Sequence, residues 1–188
     1  MSLKGWLAKI AGPRRYGDAL GNATIESSRV LSQALQSSCE IIGSNAAGAS
    51  SLRYRLDRTA LVFTYFLTSN AAAQYMKREN AALFHRGLAP SIVRAAVSEG
   101  LFSDPATAQA ELTAELTRID SAHRTQVINM EQPGSGDVLG LLLEALRNNL
   151  DYTLTFSSMG EHGFAESARA VAQHTLRSIA SATEEYRW

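Results

Sequence analysis

Only a few residues in this chain carry types and spacings that could do chemistry. The most suggestive run is Asp120-Ser121-Ala122-His123. A carboxylate three residues before an imidazole shares its helix face, and di-iron and di-manganese bundles use that spacing on two helices. Here it occurs once, because His85, His162 and His174 each lack an acid three residues earlier. His123 also continues an apolar stripe made of Leu112, Leu116, Ile119, Val127 and Met130. A histidine on such a stripe must be hydrogen-bonded, ligated or at the edge of the core. Glu111 and Glu115 lie beside the stripe. His123, Asp120 and Glu115 are therefore the candidate set for a ligand or metal site inside a bundle, with a second histidine arriving from another helix.

Other chemistries find less. Cys39 is the lone cysteine, so an internal disulfide and a cysteine-rich metal site are both excluded. It is expected as a small apolar residue within a helix. Glu161-His162 falls between Met159 and Gly163, in what reads as a solvated link between helices. No GxSxG elbow, Walker loop or GxGxxG turn is present, and the glycine-containing run Gly43 to Ser50 has no lysine. An Arg-x(4–6)-His spacing, which resembles that of HEPN-type helical ribonucleases, occurs from Arg78 to His85, Arg118 to His123 and Arg169 to His174. That family places Asn, Asp or His directly after the arginine, where this chain has Glu79, Ile119 and Ala170. The likeness covers spacing alone and assigns no catalytic pair. No catalytic residue and no cofactor is expected, and a non-enzymatic role is favoured.

The elements that would position these residues read as helices throughout. Ser51 to Arg86 contains no Gly or Pro, and Leu52, Leu56, Ala60, Phe63 and Leu67 repeat at the helical period. It is expected to be a central helix covered by the others, ending at Gly87. A short helix from Pro90 to Gly100 follows. Asp104-Pro105 is a cap followed by proline at the first helical position, and starts a helix expected to reach about Met130. Asp137 to about Ser158 is a leucine-rich helix, and Gly163 to Tyr186 is the last. Before the central helix, Asn22 to Ile42 reads as a helix whose stripe is Ile25, Leu31, Leu35 and Ile42. The expected architecture is all-α: one domain over residues 1–188, a bundle of four to five main helices plus a short amphipathic helix at 2–11, tethered by residues 12–22. No strand pattern is visible.

Eighteen basic and eighteen acidic residues give zero net charge. No single-sign field exists to draw the chain onto nucleic acid, and no nucleic-acid partner is expected. No run reaches the roughly 18 to 20 uncharged apolar residues of a membrane span. With no leader pattern at its start, the chain is expected in the cytoplasm. Two features suggest contact surfaces. Leu3, Trp6, Leu7 and Ile10 share one face of the first segment, and the leucine-rich helix has more apolar residues than one face can hold, Leu141 among them. The favoured function is a helical protein-interaction subunit, regulatory, adaptor, immunity or chaperone-like, with a protein partner or a second copy. The alternatives are an interior ligand or metal site around His123 and a membrane-surface protein using residues 2–11.

Overall fold

A computed structural model of the chain describes residues 3–41, 46–123, 154–156 and 158–186; the side chains of 3–11, 38–41, 46–52, 120–123, 154–156, 158–161, 164 and 165 lie outside that description. Among these residues the fold is an all-α bundle of five helices with one small ribbon. In chain order they are α1 (Leu3–Ser38), β1 (Cys39–Ile41), α2 (Ala46–Tyr75), α3 (Arg78–Ser98), α4 (Pro105–His123), β2 (Leu154–Phe156) and α5 (Ser158–Tyr186).

The central helix is where its periodicity put it. Leu56, Ala60, Phe63 and Leu67 are buried, and every residue from Thr59 to Thr68 is buried as well. Ten consecutive buried residues span nearly three turns, so the middle of α2 is enclosed on all faces. Its core hydroxyls are satisfied locally: Thr64 donates to the Ala60 carbonyl, and Thr68 to the Thr64 carbonyl at 2.8 Å. Ile25, Leu31 and Leu35 of α1 and Ala168, Val171, Ile179 and Ala182 of α5 are buried too.

Several boundaries differ from the sequence expectation. α2 ends at Tyr75 rather than Arg86, because Lys77 adopts φ −58°, ψ 145° and breaks the backbone ladder. No glycine or proline marks this break. α3 then runs unbroken through both Gly87 and Pro90, the residues expected to end one helix and start another. Pro90 has no N–H to give the Arg86 carbonyl, and the helix continues regardless. Gly100 does close α3, at φ 73°, with Leu101 N–H on the Ala96 carbonyl and Gly100 N–H on the Val97 carbonyl. That is the Schellman pattern with glycine in the left-handed position.

Residues 13–22 are helical, not a tether. The break lies at Gly12 (φ 65°, ψ 177°), and Pro13 starts the helical run that follows. Gly17 and Gly21 face α3. A Cβ on Gly17 would lie 2.1 Å from the Phe84 carbonyl oxygen, and one on Gly87 would lie 1.8 Å from that of Arg14. A Cβ on Gly21 would press on Ser91 at 2.4 Å. The two backbones therefore approach where Gly17-x3-Gly21 meets Gly87-x3-Ser91. The Ser91 hydroxyl seals the seam by donating to the Asp18 carbonyl at 2.8 Å.

The ribbon is a further correction. Cys39 lies on a strand and not in a helix; it pairs with Phe156, Glu40 with Thr155 and Ile41 with Leu154, antiparallel. Leu154–Phe156 falls within the stretch expected as the leucine-rich helix, and extended pairing between distant segments leaves no local period. α5 begins at Ser158, so Glu161 and His162 are helical rather than in a link. The rest of the expected leucine-rich helix, and the continuation of α4 beyond His123, lie outside the described residues.

Candidate functional site

Of the candidate set, Glu115, Asp120 and His123 all fall on α4, and only the Glu115 side chain is among those described. Asp120 and His123 sit on the last turns of α4, and their side chains lie outside the described set. Glu115 is half-buried and is held by Arg118, whose Nε and Nη2 donate to its Oε2 at 3.0 and 2.8 Å. Glu111 pairs across to Arg58 of α2. His162 and His174 are exposed on α5, whereas His85 is half-buried on α3 against the Phe84 ring. Burial lowers the His85 pKa by penalising the imidazolium. Among the described residues no three His, Cys, Asp or Glu side chains gather closely enough to hold a metal ion. Leu3, Trp6, Leu7 and Ile10 fall on the helical segment before Gly12, with side chains outside the description, and Leu141 lies outside it altogether.

Glu111 and Glu115 do share a cleft. It measures about 220 Å³ and lies between α2 and α4. Arg55, Arg58, Thr59 and Val62 come from α2, and Glu111, Leu112 and Glu115 from α4. Phe102, from the connection between α3 and α4, also lines it. The floor is buried: Thr59 at 4%, Val62 at 6% and Leu112 at 2% exposure. Arg58 is its organising side chain. Its guanidinium lies 4.3 Å from the Phe102 ring centre and 5.3 Å from that of Tyr54, while pairing with Glu111. Stacking on two rings and a carboxylate partner suit the planar guanidinium and would not suit lysine equally.

The helix that presents Glu111 and Glu115 is fixed at its start. Asp104 accepts from the Thr107 N–H at 2.9 Å, the Thr107 hydroxyl at 2.6 Å and the Ser103 hydroxyl at 2.9 Å. Those donors, the Thr107 hydroxyl foremost, hold its pKa down at about 2.

Two further grooves flank α1. One, of about 450 Å³, carries Asp18, Asn22, Glu26, Arg94 and Glu99; the other, of about 310 Å³, carries Arg29, Gln33, Gln36, Arg53 and Asp57. Their charges are largely paired: Asp18 with Arg94, Arg29 with both Glu26 and Glu99, and Asp57 accepting from Ser32 and Gln36. Mixed signs, internally neutralised, fit neither a polyanion nor a cation cage.

Sequence reasoning found Glu111 and Glu115 but missed Arg58, Tyr54 and Phe102. The available signal was Arg53-Tyr-Arg-Leu-Asp-Arg58, a polar, aromatic cluster opening an otherwise apolar helix. No described helix is long and apolar enough to cross a membrane. Comparison with protein-family models, with curated proteins and with solved structures finds no match to this chain.

Proposed function

We propose that this chain is a non-enzymatic helical subunit that works by contact with another protein, in a regulatory, adaptor, immunity or chaperone-like role. The observation that carries this reading is the break at Gly12. Before it lies a helical segment whose sequence puts Leu3, Trp6, Leu7 and Ile10 at spacings of three, one and three, a single apolar face. After it, α1 is held on α3 through its glycines. A short amphipathic helix joined by one left-handed glycine to a fixed body suits helix-in-groove recognition. Native mass spectrometry of the full chain, purified gently from its own cells, tests the reading. The expected result is a dimer or hetero-complex that is lost on deleting residues 1–11, while circular dichroism of the remainder is unchanged. A monomer that carries a reproducible metal or organic mass would overturn it.

A further inference from the structure

The connection between α3 and α4, residues 99–104, is short, and besides the backbone bonds that close α3 it is tied down at four points. Glu99 pairs with Arg29 of α1. The Leu101 carbonyl accepts from the Tyr54 hydroxyl of α2 at 2.6 Å. Phe102, only 5% exposed, lies under the Arg58 guanidinium of α2. Asp104 caps α4. Between the first and second ties stands Gly100, left-handed and with nothing within 4 Å of where a Cβ would be.

We propose that residues 99–104 form a strap over the α2–α4 cleft, with Gly100 as its hinge and Arg58 as its clasp. Three features support a movable closure rather than a rigid corner. The ties are mostly polar and near the surface, and such contacts are individually weak. Gly100 alone among the strap residues has left-handed backbone freedom and open space around it. The clasp is bipartite, since Arg58 joins the strap through Phe102 and α4 through Glu111, so releasing it loosens both edges of the cleft together. Lifting Phe102 would expose Thr59, Val62 and Leu112, an apolar floor rimmed by Arg55, Glu111 and Glu115. This device does not depend on the partner-binding reading, which concerns residues 3–11.

The test places a thiol on the floor. In a Cys39→Ser background of the full chain, Thr59→Cys is a near-isosteric probe whose modification by a thiol reagent reports opening. Arg58→Met is expected to raise its rate about tenfold, the scale of a lost cation–π and ion-pair contact. Glu99→Gln is the decisive variant, because Glu99 does not line this cleft and ties the strap to α1 through Arg29. It is expected to raise the rate about threefold, in line with one surface ion pair. Ala172→Cys, buried on α5, serves as the control for global loosening. An unchanged Thr59→Cys rate in Glu99→Gln overturns the proposal, and so does an equal acceleration at Ala172→Cys.

Discussion

Asp104 satisfies three donors with one carboxylate, and the consequence is measurable in acid. Its pKa, about 2 in the fold against 3.8 ordinarily, is depressed. Stabilisation from the cap is therefore complete above roughly pH 4 and is lost as the pH falls through about 2. Asp104→Asn is expected to melt lower at neutral pH and to lose less of its melting temperature between those limits than the parent chain. At His85 the fold also loses stability on acidification, through burial rather than hydrogen bonding. Its folded pKa lies below the ordinary 6.5, so the fold resists the proton the unfolded chain accepts, and stability declines as pH drops below about 6.5. NMR titration of the imidazole is expected to give a midpoint below 6.5; one above it would contradict the burial. Asp104 could be read in advance because a cap is a local pattern: acid, proline, then a donor three residues on. Arg58 was legible only in part, because Tyr54 lies one turn before it but Phe102 and Glu111 come from distant stretches of chain.

At the scale of elements, glycine carries the ambiguity. Gly100 ends a helix, Gly12 breaks one, and Gly17, Gly21 and Gly87 sit within helices where two backbones nearly touch. All five look alike in sequence, and only the partner surface separates them. This is why residues 12–22 read as a tether and Gly87 as a terminus. The distinction predicts opposite outcomes for one substitution. Gly87→Ala forces a Cβ onto the Arg14 carbonyl and is expected to cost about 2 to 3 kcal/mol, as overpacking does. Gly163→Ala, helical on α5 with nothing within 4 Å, is expected to stabilise by about 0.5 to 1 kcal/mol. Chemical denaturation of both variants checks the pair, and similar losses in the two would contradict the seam. The break at Lys77 had no advance signal of any kind, since its residues are ordinary helix formers.

At the scale of the whole molecule, the helical class and the enclosed centre were legible because Leu56, Ala60, Phe63 and Leu67 repeat within one stretch. The pairing of Cys39–Ile41 with Leu154–Phe156 was not, because it joins segments separated by most of the chain. The seam between α1 and α3 has the same long reach. α1 packs more extensively on α3 than on α2, the helix that follows it. Glycine offers little apolar area to drive association, and its value here lies in permitting a close fit once a partner is present. A growing chain therefore extrudes α1 well before α3, the helix on which α1 packs most extensively. The cover of its glycine seam arrives only after Ser91 has been synthesised. In pulse-labelled exchange during refolding, amides of 13–25 are expected to gain protection no sooner than those of 84–92. α1 would then settle no sooner than the stretch of α3 that covers it, and until then its glycine-containing seam would be open to chaperones and proteases.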